Sequence, residues 1–207
     1  MDQQNKRVYR SPARKEQASE TRQRILETAH ELLVERGYAA MTVDAVATGA
    51  GVSVPSVYAI FGSKTGLLEA IIDRARFGPS YRQLVEQALQ AEDAVERLRY
   101  AGAIARGIYD AERSLIDLMG GASVLSPELA LKMRGHELDR LDAQSGTIRR
   151  LAEQGRLKAD LSVESAADIL WTLTGRDIYR MLVQGRGWSG DKYQQWLADS
   201  LVAQLVS

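Results

Sequence analysis

Residues 42–68 run TVDAVATGAGVSVPSVYAIFGSKTGLL, and three helix starts follow one another within them. Thr42 offers a hydroxyl to cap a helix, Asp44 stands at the positive end of its dipole, and Val43, Val46, Ala47 and Ala50 recur at the spacing of one buried face. Barely two turns on, Gly51 permits a tight turn that Val52 pins. Ser53 caps the next helix, with Pro55 in its first turn, where a missing N–H costs little. That helix is expected to reach Phe61. Gly62 then breaks the chain, Ser63 caps a fourth helix, and Leu67, Leu68, Ile71 and Ile72 give it an apolar face to about Arg76.

Upstream, Ile25, Ala29, Leu32 and Leu33 make a helical stripe that starts near Ser19 or Thr21 and stops at Gly37. Two short helices joined by a glycine-containing turn are either a plain helical hairpin or a helix-turn-helix, whose second helix enters the major groove of DNA. Residues 1–24 carry seven basic and three acidic groups, a net of +4, and residues 1–18 read as a flexible basic arm. Arg7, Arg10, Arg14 and Lys15 in that arm are able to meet phosphates.

Gly37 and Tyr38, Thr42-Val43, the Ala50-Gly51-Val52-Ser53 turn, Tyr58 and Phe61, then Lys64 and Leu67-Leu68 together resemble the DNA-binding signature of the TetR (tetracycline repressor-like) family of bacterial transcription regulators. The resemblance implies that Thr42 and Lys64 touch phosphates, the first through a helix N-terminus and the second as a point charge. It places Ser53, Val54, Pro55 and Ser56 at the front of a recognition helix, where Val and Pro offer apolar contact to thymine methyls and Ser bonds a base or phosphate. Tyr58 matches the family's most recognisable aromatic, whereas Val57 and Phe61 are expected to face the core. Ala59 and Ile60 stand where the family often carries an aromatic and a histidine that bind phosphate, and neither side chain donates a hydrogen bond. Pro55 replaces a frequent glycine, Thr65 a frequent acid, and Gly66 costs the fourth helix up to about 1 kcal/mol relative to Ala.

Composition bounds the alternatives. Apolar residues make up 45% and charged residues 26%, which excludes a wholly disordered chain. No cysteine and only two histidines, His30 and His136, exclude disulfides, thiolate nucleophiles, iron–sulfur clusters and Cys/His zinc sites. A formal net charge of zero argues against nonspecific coating of nucleic acid. No G-x-S-x-G elbow, Walker lysine loop or dinucleotide glycine fingerprint occurs, so no catalytic residue, metal or cofactor is expected and the chain does not read as an enzyme. Neither a spanning apolar run nor an apolar leader in Met1–Arg10 is found, and the expected location is the cytoplasm, on the nucleoid when bound to DNA.

From 77 to 207, where the net charge is −2, only helical signals occur, so the fold reads as all-α: a helix-turn-helix domain at 19–76 and a second helical domain at 77–207. Val95, Leu98, Ala101, Ala105 and Ile108 form one stripe, with a further segment from about Ala111 to Leu125. Ser126-Pro127-Glu128 opens a long helix ending near Gly155. Ser162 caps a helix expected to reach Gly185 with apolar residues on two sides, and Ser189 starts the last one, striped by Tyr193, Trp196, Leu197, Leu201 and Leu205.

The family resemblance implies that these last helices pair with their mates in a homodimer, with Leu170, Ile178, Tyr193, Trp196, Leu197 and Leu201 as interface candidates. It also implies a small-molecule effector pocket, for which Tyr100, Arg106, Tyr109, Met119, Met133, His136, Trp171 and Tyr179 are the candidates. The expected function is a ligand-responsive repressor on a pseudo-palindromic operator. The alternatives are a DNA-binding regulator without an effector, or a helical interaction protein that uses the C-terminal stripe and binds no operator.

Overall fold

The computed structural model describes residues 12–118 and 127–207, and every regular element among them is helical. The chain divides into two compact units, Met1–Ile71 and Ile72–Ser207.

In the first unit α1 (Pro12–Ala40) is broken at Gly37, which takes φ 76° and ψ 172°. The helix therefore begins inside the stretch expected to be a loose arm, because Ala13 to Ala18 contain neither glycine nor a β-branched residue; residues 1–11 lie outside the described residues. Helix α2 (Val43–Ala50) is capped by Thr42, whose Oγ1 accepts from Ala45 N at 3.1 Å. It ends at Gly51 in the left-handed region (φ 64°), and Val52 N reaches back to Ala47 O at 3.0 Å, the bond that closes a helix C-terminus. Helix α3 (Val54–Phe61) is capped by Ser53, and α4 (Lys64–Arg76) by Ser63, whose Oγ accepts from Gly66 N at 2.9 Å. Ile25, Leu33, Val46, Val57, Leu67 and Leu68 are fully or almost fully buried, each contributing on the order of 1.5–3 kcal/mol. Gly49 lets α2 lie against α1, since a Cβ there would stand 2.6 Å from Thr28 Cγ2.

The second unit contains α5 (Pro79–Gln90), α6 (Ala94–Leu118), α7 (Pro127–Glu153), α8 (Val163–Leu173), a single turn α9 (Arg176–Tyr179) and α10 (Gly190–Leu205). Val95–Ile108 and the segment from Ala111 are one continuous helix, since Gly107 is the only weak helix former near the join. The helix capped by Ser162 stops at Leu173 rather than at Gly185. Thr174 turns its Oγ1 back onto Leu170 O at 2.7 Å, Gly175 is extended, and after α9 the chain winds as a π-helical turn, Arg180–Gly185. Ser162 and Ser189 cap α8 and α10. The capping residue expected at Ser126 lies outside the described residues.

Leu98, Ile148, Leu151, Leu170, Tyr193 and Leu201 form the centre of this unit's core. The C-terminal residues are tied in by Lys158 N donating to Leu205 O and Ser207 N donating to Arg156 O, both at 3.0 Å.

Candidate functional site

Helices α2 and α3 are bent by 109° across the turn Gly51-Val52-Ser53, within the ~90–120° of a helix-turn-helix. Arg24 Nε donates to Ala50 O at 2.9 Å, fixing the turn against α1. Val57 is 1% exposed and Phe61 lies half-buried beneath the Arg22 guanidinium, so this side of α3 faces inward. Tyr58 and Pro55 are exposed, while Val54 and Ser56 are half-buried on the first turn. Ser53 Oγ and Ser56 Oγ share a hydrogen bond of 2.7 Å, and Ser53 Oγ also accepts from Ser56 N. The two hydroxyls use one proton between them, which leaves one O–H for an acceptor outside the protein. Thr42 Oγ1 is used only as an acceptor in its cap, so its O–H is likewise available.

Lys64 lies with Nζ 4.1 Å from the Tyr38 ring centroid and 3.4 Å from Ala39 O, and burial lowers its pKa below the ordinary lysine value. The first unit thus collects two helix N-termini, hydroxyls at both caps and a held cation, the groups that position a protein on phosphates. Ala59 and Ile60 are exposed and apolar.

The second unit holds a cavity of about 540 Å³, in the size range of small-molecule sites. Its walls repeat at helical spacing: Arg97, Ala101, Ile104, Ala105, Ile108 and Tyr109 from α6, and His136, Asp139, Arg140, Ala143, Gln144 and Thr147 from α7. Phe77, with Tyr81 and Val85 of α5, closes another side.

At one end Arg76, 3% exposed, pairs with Glu112 Oε1 at 2.9 Å, approaches His136 Nδ1 at 3.3 Å and stacks on Phe77. Burial raises the pKa of Glu112, against the pull of Arg76 and Arg176. Burial and the Arg76 charge lower that of His136, so its neutral form accepts at Nδ1. Arg140 is bound to Glu137 and to Thr174 Oγ1 (2.7 Å), which also accepts from Gln144 Nε2 at 2.8 Å. Tyr109 OH donates to Thr174 O at 2.9 Å, and burial raises its pKa to about 12. Among the described residues no group of acids and histidines is placed to hold a metal.

Of the pocket candidates, Tyr109 and His136 line this cavity. Tyr100, Arg106, Trp171 and Tyr179 do not. Arg106 is drawn aside by Asp110 and Asp191, Trp171 is 37% exposed, and Tyr179 is buried between the Tyr109 and Tyr193 rings with its hydroxyl on Asp110. Met119 lies outside the described residues, as does the side chain of Met133. Arg97, Arg140, Gln144 and Thr147 were not singled out in the sequence; the signal was the recurrence of small and polar residues at 140, 143, 144 and 147 on one face of α7.

The interface candidates need a correction as well. Leu170, Tyr193, Leu197 and Leu201 are 0–1% exposed within a single chain, packed on Leu98, Ile148 and Leu151, and have no surface to give a second subunit. Ile178 and Trp196 are half-buried against the same core, whereas Met181 is 54% exposed.

A bent helix pair with an exposed, hydroxyl-bearing first turn defines a DNA-binding protein of the helix-turn-helix class. Residues 25–71 match the model of the family described as "Bacterial regulatory proteins, tetR family". Over that segment, which holds the helix-turn-helix, the chain resembles that family of transcriptional regulators. It is 27% identical to the HTH-type transcriptional regulator YdeS of Bacillus subtilis, over 80% of each chain. It is 25% identical to the HTH-type transcriptional repressor BepR of Brucella suis, over 78% of this chain and 80% of that one. Among solved structures, a transcriptional regulator from Saccharomonospora viridis in complex with choline is 27% identical with a TM-score of 0.67, covering 91% of this chain and 99% of that one. No single helix among the described residues is long and apolar enough to cross a membrane.

Proposed function

We propose that the protein is a ligand-responsive repressor that binds a pseudo-palindromic operator as a homodimer and leaves it when a small molecule fills the cavity of the second unit. The observation that carries this reading is the coexistence in one chain of an exposed helix-turn-helix front and a ready-formed cavity of about 540 Å³. Residues Thr42 and Lys64 hold phosphates, and Val54, Pro55, Ser56 and Tyr58 read or flank base edges, with Ser53 fixing the front of α3. Two such helices about 34–36 Å apart then meet successive major grooves. Exposed apolar side chains of the second unit, Trp171 and Met181, supply the dimer contact. Release follows from linkage: an effector that binds better to the state unable to grip both half-sites shifts the population toward it.

The repressor role of BepR and the choline complex of the S. viridis regulator support the two halves of this reading. It is tested by selecting bound fragments from genomic DNA with the purified full-length chain and titrating them in mobility shifts. Retention of a common inverted repeat is expected. Retention of random fragments, or of none, would leave an interaction protein as the better description.

A further inference from the structure

The cavity sets an apolar α6 wall against a polar α7 wall, and its charges are unevenly paired. Three arginines line it. Arg76 is paired with Glu112, and Arg140 with Glu137. Arg97 is different: its guanidinium, half-buried at the far end of α6, donates through Nε to the neutral hydroxyl of Thr147 at 3.3 Å, and among the described residues no carboxylate pairs with it. Burial, and after it the charge of a second guanidinium, that of Arg150, push its pKa down. Arg150 is itself spent on a backbone oxygen, donating to Glu92 O at 3.2 Å. The one carboxylate in the lining, Asp139, is exposed and sits eight residues from Thr147, about 12 Å along α7. A half-buried cation close to another cation, with no carboxylate among the described residues paired to it, is a costly arrangement unless something else brings the anion.

The shape fits that role. From Thr147 to His136 the α7 wall runs eleven residues, about 16 Å, and from Arg97 the α6 wall continues as Ala101, Ile104, Ala105 and Ile108. Beyond the Arg97 end the α6 side of the space is therefore apolar and faces the polar α7 side, and the space closes on a cluster in which Arg76 and Arg176 share the Glu112 carboxylate.

We infer that the effector is an amphipathic monoanion, its oxyanion head seated on Arg97 and the Thr147 hydroxyl and its apolar body laid along α6 from Ala101 to Ile108. The planar fork of arginine suits a carboxylate head, and Thr147, already accepting from Arg97, has its O–H left to donate to the second oxygen. This rests on the reading that the cavity is the effector site, and names the chemistry that it selects.

The test uses the full-length protein and three probes with unbranched chains of nine or ten carbons and different head groups: decanoate, 1-decanol and decyltrimethylammonium. Binding is measured by calorimetry at a pH where the acid is ionised. Decanoate is expected to bind about tenfold or more tightly than decanol, the value of a charge-assisted hydrogen bond, and the ammonium most weakly. Arg97→Gln should bring decanoate to within about twofold of decanol. Decanol or the ammonium binding as tightly as decanoate would overturn the inference while leaving the cavity a ligand site. An undiminished preference in folded R97Q would overturn it equally. Binding of none of the three would count against both the inference and the cavity reading. Should R97Q fail to fold, as judged by circular dichroism, the head-group order in the unmodified protein decides alone.

Discussion

Lys64 and Ser56 stand a few residues apart and are asked to do different work. Lys64 is held on the Tyr38 ring as a point charge, whereas Ser56 sits at the front of α3 with a hydroxyl shared with Ser53. Lys64→Ala should weaken binding to every DNA sequence alike and make the slope of log affinity against log salt shallower by about 0.9, one phosphate contact. Ser56→Ala should alter the order of preferred operators with little change in slope. Titrations at several salt concentrations on two operators distinguish these outcomes, and equal loss of discrimination in both variants would contradict the division. His136 makes a prediction of another kind. Its pKa is lowered in the folded protein from the ordinary 6.5, so the stability that its neutral form confers is present above that value and is lost as pH falls through the folded-state pKa. Denaturant unfolding should show stability falling from pH 7.5 to 5.5, and His136→Gln should flatten that fall.

At the junction of α3 and α4, helix propensity and packing give opposite answers. Propensity alone makes Gly66→Ala stabilising by up to about 1 kcal/mol. A Cβ there, however, would lie 1.9 Å from the Phe61 carbonyl oxygen, so the backbone would have to move and the change should cost on the order of 1–3 kcal/mol instead. The thermal midpoint decides the sign. Where structure depends on one residue and its neighbours, the sequence was legible: Thr42, Ser53, Ser63, Ser162 and Ser189 all precede helices as expected, because capping is chemistry within a few residues. The break at Thr174-Gly175 is not legible because Gly175 falls inside an apolar pattern that continues through it; the ladder ends where Gly175 turns extended and its N–H goes to Thr172 O. The stripe of α10 was legible too, but not what covers it. Tyr193, Leu197 and Leu201 look the same in sequence whether they meet a second subunit or α6 of their own chain, and here the latter holds; Gly102 permits it, since a Cβ would stand 2.8 Å from Gln194 O. For the cavity, Tyr100, Trp171 and Tyr179, favoured by composition, lie elsewhere, because lining depends on where α6 and α7 face each other across a void.

For the assembled protein, the difference between core and surface separates two kinds of variant. Leu201→Glu would bury a carboxylate at a position that is 0% exposed, at a cost of several kcal/mol, and should unfold the second unit rather than yield monomers. Met181→Glu changes a side chain 54% exposed and should leave the circular dichroism spectrum intact while halving the mass seen in sedimentation. A Met181→Glu protein that sediments like the unmodified one would move the dimer contact elsewhere on the unit. Operator recognition and its release are joined most directly in one footprinting experiment on a fragment selected from genomic DNA. Protection of two half-sites centred one helical turn apart, about 10 base pairs, is expected, lost from both half-sites together as decanoate is added. Protection of a single half-site, or a footprint that persists when the cavity is saturated, would contradict a dimeric repressor governed by that cavity.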